Sequence, residues 1–226
     1  MDLINLMRTI ILGIIQGIAE WLPISSTGHL RLADHFLHLT IRLLFDAPLH
    51  IGTLIVVFIF FRKDIKQILL ALVHLDFKTE YGQLIPLIIV GTVPTALIGL
   101  VFSDIVESIS HYVLPIAIAL ILSGILLYSS KTAREETDNI SYQTALIFGV
   151  VQGIAIMPGI SRSGTTIAVA LLLKLKREKA FKFSFLLSIP AVIGALGLTI
   201  YKQHAELATA GFGVIEILIG ATIAMV

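Results

Sequence analysis

The sequence predicts an all-α, polytopic integral membrane protein in which two re-entrant helix hairpins form an inverted-topology repeat. Hydrophobic residues make up 57% of the 226 positions, charged residues only 14%, and the mean hydropathy is +0.97. A soluble domain, by comparison, is roughly 25% charged. A net charge of +1 argues against a nucleic-acid partner, and the lack of cysteine excludes disulfides and thiolate metal sites. The membrane is therefore the expected environment.

The first apolar region, 3–39, is interrupted by the polar stretch QGIAEWLPISSTGH at 16–29. Pro23 ends a first half-helix because it lacks an N–H and disfavours helix in the residue before it, and the hydroxyls of Ser25 and Ser26 can cap a second one. At membrane depth, a broken backbone is tolerated only where it is buried in protein or lines a wet cavity. We therefore predict a re-entrant hairpin over 3–39.

Five further apolar runs are predicted to be helices, and three of them are long enough to cross a hydrocarbon core of about 30 Å. The three clear spans are 84–102, 112–129 and 182–200. The run 47–61 is shorter and is still expected to span, and the run 212–226 is apolar to its last residue.

The other interrupted region, 141–173, is a copy of the first. A shift of 136 residues lays GIIQGIAEWLPISSTG (13–28) on GVVQGIAIMPGISRSG (149–164), and 8 of the 16 positions are identical. Chance similarity between apolar helices does not readily explain the shared glutamine and glycine positions. Interrupted segments in corresponding halves of a membrane protein point to a site near the bilayer midplane.

Loop charge predicts the orientation of the two copies. Eleven of the sixteen basic residues lie in 62–83, 130–140 and 174–182, whereas 103–111 has none and 201–211 has only Lys202. The positive-inside rule places the first three segments in the cytoplasm and the other two outside. The chain reaches these sides only if both interrupted regions are re-entrant and enter from opposite faces, so that their tips meet near the bilayer centre.

The predicted organisation is therefore a single membrane domain over 1–226. Repeat 1 covers about 3–61 and contains the hairpin 3–39. Repeat 2 covers about 141–200 and contains the hairpin 141–173.

Reactive side chains cluster at the first tip. Gln16 and Glu20 lie four residues apart and so share one face of the first half-helix. His29 follows Ser26 by three residues, which on a helical turn brings a ring nitrogen within reach of the Ser26 hydroxyl. The tip thus combines a carboxylate with a hydroxyl and a base.

Arg162 is the only charge within 141–173. A guanidinium at bilayer depth is costly and is a functional hypothesis by default, and its planar fork matches phosphate. Glycines and hydroxyls at the start of a half-helix also form an anion nest. For Thr165, helix packing is an equal alternative. The His50 side chain either lines the cavity or caps packing.

The stretches QGIAEWLPISSTGH and PGISRSGTTI resemble the two signature motifs of the undecaprenyl-diphosphate phosphatase (bacitracin-resistance) family. The resemblance runs from about residue 5 to the end of the chain. It implies hydrolysis of a long polyprenyl diphosphate to the monophosphate in the plasma membrane, at a cavity that faces the cell exterior. It also implies a divalent cation, and oxygen ligands without cysteine fit Mg²⁺ or Ca²⁺ better than zinc.

The resemblance also implies roles for individual residues. Glu20 would hold the cation with help from Gln16, Arg162 would clamp phosphate, and Ser26 and His29 would be the nucleophile and its partner in either order. The implied substrate-binding residues are Gln16, Ser25, Thr27, Ser161, Ser163, Gly164, Thr165 and Asp46. Asp46 and Gln16 stand where some family members carry Glu. The family pattern continues through a further basic loop and a final helix, which we expect to be missing after Val226.

Two other classes of protein share parts of this pattern. A transporter or flippase of polyprenyl phosphate is the main alternative, because inverted repeats with broken helices are typical of transporters. A non-catalytic lipid-binding membrane protein is a third reading. The oligomeric state stays open, and a homodimer is one option.

Overall fold

The computed structural model describes residues 3–37, 46–207 and 214–225, and the regular structure within these residues is helical. A 3₁₀ turn, Ser130–Thr132, follows the sixth helix. The helices are α1 (Leu3–Trp21), α2 (Ser26–Leu37), α3 (Asp46–Phe60), α4 (Arg62–Val73), α5 (Glu80–Ile109), α6 (Val113–Ser129), α7 (Tyr142–Ile154), α8 (Arg162–Leu172), α9 (Arg177–Leu207) and α10 (Val214–Ala224).

The predicted class, an all-α membrane protein, is confirmed. Three of the described helical segments are long and apolar enough to cross a membrane, Glu80–Ile109, Val113–Thr132 and Arg177–Lys202. They contain the three runs that the sequence predicts as clear spans, except that the second begins at Val113 and not at Tyr112. The run 47–61 forms α3, whose apolar part is shorter than a full span.

Both interrupted regions are broken at the predicted motifs. The helix α1 ends at Trp21 and α2 begins at Ser26, with Pro23 between them, and the break from α7 to α8 contains Gly159. Ser25 has φ +70° and Gly159 has φ +100°. A left-handed backbone costs a serine free energy that glycine avoids, so Ser25 is a strained residue held by its surroundings. The re-entry of these hairpins into a bilayer and the inversion of the two copies stay predictions.

The tips of the two hairpins are in direct contact. A Cβ atom added to Gly28 would lie 2.8 Å from Gly159 Cα, and one added to Gly164 would lie 2.8 Å from the Pro23 carbonyl oxygen. The Ser25 hydroxyl accepts hydrogen bonds from the amides of Gly28 (3.3 Å) and Gly159 (3.2 Å). The two motifs therefore pack against each other through their backbones, with no room for a side chain at Gly28 or Gly164.

Ion pairs connect the three basic segments, 62–83, 130–140 and 174–182, at one end of the helix bundle. Lys179 Nζ lies 2.6 Å from Glu80 Oε1, and Lys174 Nζ lies 2.8 Å from Glu136 Oε2. At the opposite ends of α5 and α9, Lys202 Nζ lies 2.7 Å from Asp104 Oδ1. The helices α5 and α9 therefore run in the same direction, from the basic end to the other end.

The second copy of the repeat is anchored by close packing. A Cβ added to Gly149 would lie 2.0 Å from the Gly91 carbonyl oxygen, so α7 and α5 touch along their backbones. The Thr95 hydroxyl donates to the Gly149 carbonyl oxygen (2.8 Å), and Gln152 Nε2 donates to Thr95 Oγ1 (3.3 Å). Gln152, the counterpart of Gln16, is thus part of a helix-packing contact.

Candidate active site

The carboxylate of Glu20 is the centre of the candidate site. Arg162 Nη2 donates to Glu20 Oε1 at 2.6 Å, while Ser26 Oγ at 2.6 Å and Gln16 Nε2 at 3.3 Å donate to Oε2. The Glu20 side chain is 16% exposed and that of Arg162 is 25% exposed. A charged pair that is largely shielded from water is costly to break, because the loss of one partner leaves the other charge uncompensated. Four of the residues that the sequence predicts thus meet at one point.

Local structure explains how each side chain reaches this point. Gln16 and Glu20 lie one turn apart on α1, while Ser26 and Arg162 are the first residues of α2 and α8. Ser161 caps α8, because its hydroxyl accepts the Gly164 amide at 3.1 Å. Ser26 and Arg162 therefore stand at helix starts next to the breaks, and Glu20 lies one residue before the end of α1.

His29 does not contact Ser26 in the way its spacing predicts. Its Nδ1 lies 2.7 Å from the Ser25 carbonyl oxygen, which can only accept, so Nδ1 carries the proton. In the neutral ring, the lone pair is then on Nε2. The Ser26 hydroxyl donates to Glu20 instead, because an ionised carboxylate is a stronger acceptor than an imidazole nitrogen.

The remaining predicted residues occupy different surroundings. Ser25 and Ser161 are each 3% exposed, and their hydroxyls accept backbone amides at the tips. Thr165 is also buried, and its hydroxyl has no hydrogen-bond partner. Thr27 and Ser163 are half-buried. Asp46 begins α3, and its side chain lies outside the described residues.

A pocket opens beside the Glu20 carboxylate, and its lining has a polar and an apolar part. The polar part consists of Glu20, His50, Thr53, Arg162 and Ser188. The apolar part consists of Trp21, Leu54, Val57, Phe185 and Val192. The ring of Trp21 stacks on that of Phe185 at 5.5 Å between centroids, which makes this wall rigid and aromatic. Such a lining suits a ligand with a charged head and an apolar tail.

Three polar residues of the lining lie outside the two sequence motifs: His50, Thr53 and Ser188. His50 Nε2 lies 4.0 Å from Glu20 Oε2, and the side chain lines the pocket. Of the two alternatives for His50, the structure therefore supports the one in which it lines the cavity. The signal in the sequence is a titratable side chain inside an apolar run, which is a functional hypothesis by default. Thr53 and Ser188 carry no such signal, since hydroxyls in membrane helices usually serve packing.

The residues around Glu20 fit a divalent cation only if other ligands complete its shell. Among the residues that the structure describes, no group of three His, Cys, Asp or Glu side chains could hold a metal ion. The buried Gln16 amide has its Nε2 3.3 Å from Glu20 Oε2, while its Oε1 has no hydrogen-bond partner. Rotation of the amide would bring that oxygen next to the carboxylate. Mg²⁺ is commonly held in this way, by one or two protein oxygens together with phosphates and water.

The chain is similar to known proteins over most of its length. The family described as "Bacitracin resistance protein BacA" matches residues 9–226. "Undecaprenyl-diphosphatase 3" of Bacillus cereus is 47% identical over 209 residues, which is 89% of this chain and 78% of the relative. "Undecaprenyl-diphosphatase" of Methanosphaera stadtmanae is 44% identical over 223 residues (91% and 80%). "Undecaprenyl-diphosphatase" of Carboxydothermus hydrogenoformans is 42% identical over 228 residues (98% and 84%).

Proposed function

The chain belongs to the bacitracin resistance protein BacA family, and we propose that it is a membrane phosphatase that hydrolyses undecaprenyl diphosphate. The products are undecaprenyl phosphate, the lipid carrier for cell-envelope glycan synthesis, and inorganic phosphate. The observation that carries this proposal is the meeting of Glu20, Ser26 and Arg162 beside a pocket with one polar and one apolar wall. Relatives that are 42% to 47% identical carry the name undecaprenyl-diphosphatase.

Catalysis of phosphoryl transfer depends mainly on positioning of the reacting groups and on neutralisation of the charge on the phosphate oxygens. Without substrate, the Glu20 carboxylate occupies the donors of Arg162 and Ser26 that suit a phosphate. Substrate binding would therefore exchange one anion for another at Arg162. This exchange keeps the guanidinium paired throughout, which lowers the cost of opening the ion pair.

The exchange leaves Glu20 Oε1 available as a ligand. A divalent cation supplies further positive charge to the diphosphate oxygens when it is bound. Glu20 and Gln16 Oε1 would hold it, together with the substrate and water. The neutral Gln16 leaves Glu20 as the single carboxylate among the residues we assign to the cation.

We favour Ser26 as the nucleophile. Its hydroxyl has an acceptor at 2.6 Å in Glu20 Oε2 that can take the proton as the oxygen attacks the terminal phosphorus. The bond from that phosphorus to the bridging oxygen breaks, and its electron pair leaves on undecaprenyl phosphate. Water then attacks the phosphoserine, with His29 Nε2 as the base for the water proton, and Ser26 recovers its proton from Glu20. His29 as a direct nucleophile stays the alternative.

The cell membrane is the proposed location, with a site that is reached from the exterior. The basic end of the bundle would face the cytoplasm by the positive-inside rule. His50 lies in the half of α3 that is farther from Arg62 and the basic end, which supports access from the other side. Transport or flipping of polyprenyl phosphate is the less favoured function, because the curated relatives are named as diphosphatases.

The direct test is phosphate release by the purified protein in detergent or lipid nanodiscs. We expect release of inorganic phosphate from undecaprenyl diphosphate with Mg²⁺ or Ca²⁺ present, and none after EDTA. Arg162→Lys should retain the charge but lose the fork, and it should lower kcat/KM strongly. A wild-type protein that binds the lipid and never releases phosphate would contradict the proposal and favour a binding or transport role.

A further inference from the structure

We propose that His50 is a further substrate-binding residue, which donates a hydrogen bond to the lipid-proximal phosphate, the leaving group of the reaction. This inference rests on the proposed function and deepens it. The family motifs at the two tips do not include His50, and the position follows from the pocket alone. Three observations carry the assignment: the place of His50 relative to Glu20, the helix face that it shares, and the rigidity of α3 around it.

His50 faces the same carboxylate as the phosphate clamp, from another side. Arg162 Nη2 contacts Glu20 Oε1, and His50 Nε2 lies 4.0 Å from Oε2. A distance of 4.0 Å is too long for a hydrogen bond to that oxygen. A diphosphate is larger than a carboxylate and carries more oxygens, so an anion that replaces Glu20 at Arg162 can also reach the imidazole.

The helix face around His50 indicates which of the two phosphates, the terminal or the lipid-proximal one, His50 would contact. Leu54 and Val57 follow His50 by four and seven residues, so all three lie on one face of α3 and line the pocket. The boundary between head group and lipid tail therefore passes next to His50, and the phosphate at this boundary is the one bonded to the lipid.

The backbone around His50 is held firmly. The Thr53 hydroxyl donates to the His50 carbonyl oxygen at 3.1 Å. A Cβ on Gly52 would lie 2.2 Å from the Ala221 carbonyl oxygen of α10, so α3 and α10 touch along their backbones at this level. A donor on such a fixed helix is preorganised for the charge that develops on the leaving phosphate, and preorganised donors of this kind usually contribute strongly to transition-state stabilisation.

The role requires an N–H on Nε2, which the ring carries as the Nε2–H tautomer or as the imidazolium. Neutral imidazole retains one N–H, and a glutamine amide can present an N–H at a similar reach. The informative pair of variants is therefore His50→Leu, which removes the donor, and His50→Gln, which keeps one. His74→Leu is the matched control, because His74 is exposed at the end of α4 and is not among the residues that line the pocket.

The experiment measures steady-state hydrolysis and product inhibition. We expect His50→Leu to lower kcat/KM for undecaprenyl diphosphate by roughly ten- to a hundred-fold, the loss of one hydrogen bond to a charged group. The same variant should raise the inhibition constant of undecaprenyl phosphate and leave that of inorganic phosphate unchanged. His50→Gln should recover part of the loss, and His74→Leu should match the wild type.

Unchanged kinetics in His50→Leu would overturn the proposal, and so would weaker inhibition by inorganic phosphate alone, which would place His50 at the terminal phosphate. If His50→Leu does not fold, the contact can be tested on the wild-type protein. Undecaprenyl phosphate should protect His50, the histidine of the 46–60 peptide, from modification by diethyl pyrocarbonate. Equal modification with and without the lipid would refute the contact. If the wild type shows no phosphatase activity, the proposed function fails, and this protection measurement still decides the His50 contact.

Discussion

The Ser26 hydroxyl donates a 2.6 Å hydrogen bond to Glu20 Oε2 across the break between α1 and α2. A serine hydroxyl is a weak nucleophile unless a base lies within hydrogen-bond reach. In this protein the group in reach is a carboxylate. His29 instead holds the Ser25 carbonyl through Nδ1 and is left with Nε2 for a second proton transfer.

This arrangement predicts a different outcome for Ser26→Ala in each of two schemes. If Ser26 attacks, the variant should be essentially inactive. If His29 attacks, Ser26→Ala removes only a donor to phosphate, about 1.5–3 kcal/mol, and activity should fall ten- to a hundred-fold. Trapping of the phosphoenzyme separates the schemes independently. An acid-stable adduct on the 24–30 peptide supports serine, whereas an acid-labile, base-stable adduct would identify histidine and refute our preference.

Glu20→Gln tests both roles proposed for this carboxylate, as a cation ligand and as the acceptor of the Ser26 proton. The amide still accepts a hydrogen bond from Ser26, but it can neither hold a divalent cation as a carboxylate does nor pair with the Arg162 charge. We expect loss of most phosphate release, with expression in the membrane retained. Normal turnover of this variant across a titration of Mg²⁺ and Ca²⁺ would exclude Glu20 as a cation ligand.

Gln16→Ala tests the neutral residue of the proposed cation site. Its counterpart in the second copy of the repeat, Gln152, provides the control. We expect the cation concentration for half-maximal activity to rise roughly ten-fold or more, because a buried oxygen ligand is lost. Gln152→Ala affects the counterpart, whose Nε2 bonds the Thr95 hydroxyl and the Leu187 carbonyl. That variant should lower the melting temperature and leave the cation requirement unchanged. A shifted cation requirement in both variants would mean that the two copies share one role.

Gly28→Ala probes the contact between the two tips. The added Cβ would lie 2.8 Å from Gly159 Cα and 3.0 Å from Gly159 N, and neither atom belongs to a side chain that could move aside. Overpacking of this kind costs about 1–3 kcal/mol and would displace Glu20 from Arg162. We therefore expect a lower melting temperature together with reduced kcat. Gly124→Ala is the control, because its Cβ meets nothing within 4 Å. Equal stability and activity in the two variants would show that the tips tolerate separation.

The predicted orientation can be tested in intact cells, since the chain has no native cysteine. Ser108→Cys and Glu178→Cys place single thiols at exposed positions near opposite ends of the bundle. A membrane-impermeant thiol reagent should label the first variant and reach the second only after the cells are lysed. The reverse pattern would invert the orientation, and labelling of Glu178→Cys in intact cells would contradict the cytoplasmic position of the basic segments.

The amino-acid sequence alone determined the class of fold and the places where its helices break. Spans such as α5 and α9 follow from length and hydropathy, because the membrane imposes one requirement on every residue of a long apolar run. The breaks at Pro23 and Gly159 follow from local backbone chemistry. The internal repeat also predicted that Glu20 and Arg162, 142 residues apart, would meet, and the structure confirms this with a direct ion pair.

Only the tertiary structure decided which partners the reactive side chains choose. Spacing on a single helix pairs Ser26 with His29, but the angle at the break depends on how the two tips dock, and that angle brings Ser26 to Glu20 instead. The role of His50 could not be read from periodicity, because a helix with apolar residues on every side carries little pattern to show which face lines a cavity. The rotation of α3 about its own axis is set by its backbone contact with α10, a relation between distant segments that no local stretch of sequence contains.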